Sequence, residues 1–256
     1  FEDSPILYLS YTSTSFRSNY YIKFTPVNSD TKKFNDFYGA ARKFNEFIEI
    51  LSNVPISFTN IEFLVQDVLI DKNHIPLIKG KFFVQHARKY KKWNKSSQKN
   101  ISLSKLDTNF EQILNHWFDK TEELEFIVKQ FSKNLHGDLY LEDQLVDAIR
   151  NLEVYSRNFK LDENGKTRKM ILSERLKELF TSIDKINQDK ILPIELDKDS
   201  FITKLVQTRN YYTHGDKKQR YPEMITNFNE MYDTKVLLQE VLRYYIYKEL
   251  GMKYDF

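Results

Sequence analysis

The sequence predicts an α+β chain, mostly α, in which a β-rich N-terminal domain leads into an all-α helical bundle. Three observations carry this. Up to about residue 85, aromatic and β-branched residues cluster in short runs separated by Ser, Thr and Asn, as in strands joined by turns. From about residue 106, apolar residues recur at three-and-four spacing, the signature of one helix face. Between the two lies a stretch without a single acid.

Along the chain, Ile6 to Leu9 and Tyr20 to Phe24 read as short strands. Phe34, Phe37, Tyr38, Ala41, Phe44, Phe47, Ile48 and Leu51 then outline one helix, stopped by Pro55. Ile61 to Ile70 and Lys81 to Gln85 return to strand composition. The chain opens on Phe1, so residues 1–85 are expected to be a truncated domain, the later part of a sheet. Residues 86–105 are expected to be a basic linker, and residues 106–256 a helical domain of five helices. The first helix starts at Phe110 after a cap at Thr108 or Asn109 and runs on to Phe131. The second carries Leu141 to Tyr155, and the third spans Ile171 to Ile183. The fourth opens at Asp199 or Ser200 and ends at Gly215, a residue suited to the position after a helix. The fifth runs from about Pro222 to Leu250.

Composition narrows function. The chain has 256 residues, 20 of them Phe and 16 Tyr, too many rings for a disordered chain. There is no Cys, so disulfides, thiol nucleophiles and Cys-ligated zinc are excluded, and a cytoplasmic location is the expectation. The six glycines never fall into a dinucleotide-binding or P-loop pattern. His74, His86 and His116 lack paired-ligand spacing, so neither metal nor other cofactor is expected. No apolar run is long enough to span a membrane. The net charge is only +3, yet residues 79–99 hold eight Lys and Arg with no Asp or Glu between them, so the rest of the chain is net negative.

The segment that carries chemistry is Thr208-Arg-Asn-Tyr-Tyr-Thr-His214-Gly-Asp, with Arg209, Asn210 and His214 in the pattern Arg-Asn-x-x-x-His. Arginine offers a rigid, permanently charged fork that suits a phosphate. Histidine both takes and gives a proton near neutral pH. Together they suffice for RNA cleavage by the 2′-hydroxyl. Chance alone would place an Arg five residues before a His about 0.2 times in a chain of this composition, and the adjacent Asn makes the pattern rarer. Spacing also admits a structural reading, in which Arg209 forms a surface ion pair and His214 caps a helix C-terminus.

A late helix ending in this motif, inside a five-helix domain, resembles the HEPN superfamily (higher eukaryotes and prokaryotes nucleotide-binding domain). Residues 208–216, and the earlier helix segment from Leu145 to Arg157, are similar to its ApeA-like branch, whose members carry an aromatic, β-rich domain ahead of the HEPN domain. The resemblance implies a metal-independent endoribonuclease of bacterial anti-phage defence, toxic through abortive infection, and active as a homodimer that builds a composite cleft from two motifs. It implies Arg209 and His214 as catalytic residues, with Asn210 as the polar residue after the Arg. RNA is the implied partner and a phage component the implied trigger. The alternative is a non-catalytic helical module that binds RNA or protein, with the N-terminal domain sensing a phage component.

Other residues keep two readings. Glu153 and Arg157, four apart on one helix, either support the site or form a plain helix pair. Tyr211 and Tyr212 either stack on bases or pack internally. Arg88, Lys89, Lys91 and Lys92, interleaved with Tyr90 and Trp93, either grip RNA or join two domains. His136-Gly-Asp138 reads as a turn. Tyr244, Tyr245 and Tyr247 are expected to give the last helix surplus apolar surface for a dimer interface.

Overall fold

A computed structural model describes residues 8–10, 19–21, 24, 33–58, 61–70, 73–82, 109–137 and 139–254. The basic stretch 86–105, with Arg88, Lys89, Lys91 and Lys92, lies outside these residues. The chain is an α+β protein, mostly α, and divides into two compact units, Phe1–Phe47 and Ile48–Phe256.

In the first unit, β1 (Tyr8–Ser10) pairs antiparallel with β2 (Asn19–Tyr21), Leu9 opposite Tyr20. Helix α1 (Phe34–Ser52) follows and ends inside the second unit. There, β3 (Ile61–Ile70) and β4 (Asn73–Phe82) form an antiparallel hairpin running from the pair Ile61–Phe82 to the pair Ile70–Asn73. β4 begins well before the Lys81 expected, because cross-strand pairing with β3, rather than local composition, sets its length. Gly80 lies opposite Phe63, whose ring a Cβ on residue 80 would meet at 2.2 Å, so any other residue there would have to displace that ring.

The bundle comprises α2 (Phe110–Asp119), α3 (Thr121–His136), α4 (Leu141–Phe159), α5 (Leu172–Ser182), α6 (Lys185–Ile191), α7 (Lys198–His214) and α8 (Phe228–Glu249). Four details correct the sequence reading. The first predicted helix is two, divided at Lys120, because the Thr121 hydroxyl donates to the carbonyls of Trp117 (3.1 Å) and Phe118 (2.8 Å) and disturbs the ladder there. The short α6 is additional, started by the Asp184 carboxylate accepting from the Asn187 N–H at 3.1 Å. α7 is capped by Asp197, whose Oδ1 accepts from the N–H of Asp199 (3.1 Å) and Ser200 (3.3 Å), two positions ahead of the expected cap. α8 starts only at Phe228, capped by Asn227.

α8 packs most extensively on α4 and is buried throughout residues 241–247. This overturns the expected tyrosine interface. Tyr245 and Tyr247 are fully buried and Tyr244 nearly so; the first two spend their hydroxyls inside the bundle, on the Leu179 carbonyl and on the Ile50 and Leu51 carbonyls, and Tyr244 donates to the exposed Asp184. Over residues 241–247 every face of the helix is covered, so this part is a central helix, not one with surplus surface. Arg243, 1% exposed, donates to the carbonyls of Ile50 (2.9 Å) and Leu51 (2.7 Å) and so caps the end of α1. His136 is likewise not a turn residue. It closes α3, buried, and pairs with the buried Glu49 carboxylate, which also accepts from the Ser132 hydroxyl (2.6 Å) and the Ile56 N–H (3.0 Å). Three partners, two on α3 and one in the chain after α1, satisfy one buried carboxylate, as burial requires.

Candidate active site

α7 presents the Arg-Asn-x-x-x-His segment on its last two turns. Ile202, Leu205 and Thr208 are its buried residues. Asn210, Tyr211 and Tyr212 are half-buried, and His214 is exposed as the final helical residue. Gly215 follows at φ 64°, a left-handed conformation that glycine takes without penalty, and its N–H closes on the Tyr211 carbonyl at 2.9 Å. At 100° per residue, positions 209 and 214 lie about 140° apart around the helix and about 7.5 Å apart along it.

Arg209 is tied to α4. Its Nη2 stands 3.6 Å from Oε2 of Glu153, a carboxylate whose side chain is only 9% exposed. Arg157, one turn further along α4, pairs with the other carboxylate oxygen. One buried acid thus faces two guanidinium groups, and the helix pair expected at 153 and 157 is also the mount of Arg209. The Arg209 Nη1 donates to Oδ1 of Asn210 at 3.1 Å, which gives Asn210 a positioning contact. The Arg209 Nε is buried and has no hydrogen-bond partner among the described residues. The side chain as a whole remains a quarter exposed. This is a cation held from behind by a carboxylate, with donors left over for a ligand.

Tyr211 and Tyr212 meet edge to face at 4.9 Å, and Tyr211 also meets Tyr221 at 6.3 Å. Burial, with the Glu142 carboxylate and Tyr211 adding to it, raises the Tyr212 hydroxyl above its ordinary range. Two features escape a reading of the sequence. Thr208 Oγ1 accepts from the Ile225 N–H and Gln207 Oε1 from the Glu223 N–H, both at 2.8 Å, so the chain after the motif is fastened along α7. Asp216 accepts from the Tyr221 hydroxyl at 2.8 Å and pairs with Arg220 at 3.4 Å. The second had a signal in the i, i+4 spacing of Asp216 and Arg220; the first, a tertiary contact, had none.

Among the described residues no three His, Cys, Asp or Glu side chains are grouped to hold a metal ion, and no helix is long and apolar enough to cross a membrane. No curated protein and no solved structure shows significant similarity to the chain. Two family models do match: ApeA N-terminal domain 1 over residues 3–117, and Apea-like HEPN over residues 124–256. The pair points to HEPN-family anti-phage defence. HEPN domains are generally associated with RNase activity, typically act on RNA and often dimerise. With more than half of its length matched by the Apea-like HEPN model, and the expected motif mounted on its penultimate helix, the chain belongs to the Apea-like HEPN family.

Proposed function

We propose that this chain is a metal-independent endoribonuclease acting in the bacterial cytoplasm, toxic to its host when a phage component triggers it. The observation that carries this reading is the state of Arg209: fixed to the buried Glu153 carboxylate, partly open to solvent, and on the same helix end as the exposed His214. In the reaction the 2′-oxygen attacks the adjacent phosphorus, forming one P–O bond, and the bond to the 5′-oxygen breaks. The proton leaves the 2′-hydroxyl, and the departing 5′-oxygen gains one. His214 serves as acid or base in these transfers. Arg209 binds the scissile phosphate and stabilises the charge that builds on its oxygens. Asn210 and Glu153 hold the guanidinium, with Arg157 sharing the same carboxylate. The products are a 2′,3′-cyclic phosphate and a 5′-hydroxyl.

The roughly 140° between Arg209 and His214 around α7 favours a site completed by a second copy, so that one protomer's Arg209 works with its partner's motif in a homodimer. Tyr212 and the basic stretch with Arg88, Lys89, Lys91 and Lys92 are assigned to holding RNA. The test is RNA incubation and host toxicity with Arg209→Ala and His214→Ala, each checked for folding by circular dichroism. Both variants are expected to lose cleavage and toxicity. Near-wild-type activity in folded His214→Ala contradicts the assignment, and no cleavage by the wild type on any RNA returns the domain to a binding module.

A further inference from the structure

The stretch that follows His214 has a design of its own. Between Gln207 and Pro222 the chain carries four cations, Arg209, Lys217, Lys218 and Arg220, against one acid, Asp216. The left-handed turn at Gly215 reverses the chain, and the segment returns alongside α7. Three contacts fasten it there: Glu223 N–H on Gln207, Ile225 N–H on Thr208, and the Tyr221 ring against Tyr211. A 3-10 turn at Lys218–Arg220 shapes its middle, closed by Arg220 N–H on the Lys217 carbonyl and Tyr221 N–H on the Lys218 carbonyl, both at 3.0 Å. The one acid is already engaged. Asp216 takes the Tyr221 hydroxyl and the Arg220 guanidinium, so its charge is offset within the loop. Lys217 and Lys218 remain exposed, with no ion pair among the described residues.

We infer that residues 216–221 form a phosphate-gripping rim for single-stranded RNA, in which Lys217 and Lys218 hold backbone phosphates next to the one placed on Arg209. The inference rests on the ribonuclease reading for its substrate and adds to it where the strand runs. Lys217 is three positions past His214, a span of at most about 11 Å, so the lysines reach neighbouring phosphates and not remote ones. The loop is fixed at both ends, so its cations are placed before RNA arrives and little ordering is left for binding. Ammonium groups on phosphates confer affinity without sequence preference, so the rim sets strength and direction of binding.

The test uses the full chain as His214→Ala, so that RNA stays intact, with a labelled mixed-sequence 12-nucleotide single strand as the probe. Affinity is measured across a salt series with and without Lys217→Ala/Lys218→Ala. Each single-strand phosphate contact contributes about 0.7 to the slope of log affinity against log salt, so the double variant is expected to flatten the slope by about 1.4. Binding at moderate salt should weaken roughly tenfold. Lys185→Ala, an exposed lysine on α6, serves as the control and should change neither. In the cleaving background the double variant should raise KM and leave kcat within about twofold. An unchanged slope and affinity in the double variant overturns the rim, as does a wild-type chain that fails to bind the strand. Binding with the expected slope change but no cleavage by the wild type leaves the rim standing and instead overturns the ribonuclease reading.

Discussion

Removing the Glu153 carboxylate is the most informative perturbation of the site. Its Oε2 faces Arg209 at 3.6 Å and its other oxygen faces Arg157, while its side chain is 9% exposed against 25% and 53% for the two arginines. At an effective dielectric of about 20, a pair at this distance attracts by roughly 4–5 kcal/mol before desolvation is subtracted. Exposed pairs keep about 0–1 kcal/mol of such attraction, and breaking fully buried ones costs about 3–5 kcal/mol. With one partner buried and the others partly wet, Glu153→Ala should destabilise by about 1.5–3 kcal/mol, lowering Tm by roughly 4–10 °C. The kinetic effect should be larger than the stability effect suggests. Arg209 then keeps only Asn210, and a cation displaced by about 1 Å can cost about 100-fold. Glu153→Gln keeps the shape and one acceptor and should recover part of the loss, whereas Arg157→Ala removes the wetter partner and should stay within threefold of wild type. The assay is initial-rate cleavage of single-stranded RNA with kcat and KM separated, alongside thermal denaturation. A folded Glu153→Ala protein with wild-type kcat/KM would refute the argument that this carboxylate sets Arg209.

Arg243→Met should cost about 2–4 kcal/mol in urea denaturation, since it leaves Glu240 with the Tyr254 hydroxyl and the carbonyls of Ile50 and Leu51 with the Tyr247 hydroxyl alone, and hydrogen exchange should quicken in the last turn of α1. Thr208→Val keeps the shape but removes the acceptor of the Ile225 N–H; a loss of about 1–3 kcal/mol and faster exchange at that amide are expected, and unchanged protection would exclude the fastening role. Alkali should unfold the bundle steeply. Burial holds Tyr155, Tyr245 and Tyr254 protonated beyond the ordinary phenol range and pushes Tyr247 up to about 12. Raised folded pKa values mean that this stability is complete below about pH 10 and falls as pH rises through the folded values. Each such tyrosine contributes about 1.4 kcal/mol per pH unit, so four exhaust a typical domain's stability within about two units. Far-UV ellipticity and tyrosinate absorbance should therefore change together between about pH 10 and 12; early, gradual ionisation without unfolding would contradict the buried tyrosine core.

Much of the helical part was legible because its elements end in local chemistry. Gly215 at one end and a capping residue near Asp199 at the other mark the motif helix, and the Arg-Asn-x-x-x-His pattern falls within six residues of it. What was not legible is tertiary. The i, i+4 spacing shows Glu153 and Arg157 as a pair, but that the same carboxylate mounts Arg209 depends on α4 meeting α7. The tyrosines of α8 look like excess apolar surface until neighbours on every side cover them. Likewise His136 is read as a turn next to Gly137 because its partner, Glu49, belongs to a remote helix. Local competition explains the remainder: a threonine hydroxyl divides α2 from α3, and one side-chain cap displaces another at α7.

Cleavage through the 2′-hydroxyl by Arg209 and His214 without metal leaves a chemical signature on the RNA ends. The most direct measurement is end-group analysis of RNA incubated with the full chain in excess EDTA, beside the folded His214→Ala variant. The wild type should leave 2′,3′-cyclic phosphate and 5′-hydroxyl ends, and the variant should leave the RNA intact. Cleavage that stops on chelation and returns with Mg²⁺ or Mn²⁺, or equal products from both proteins, would contradict this mechanism.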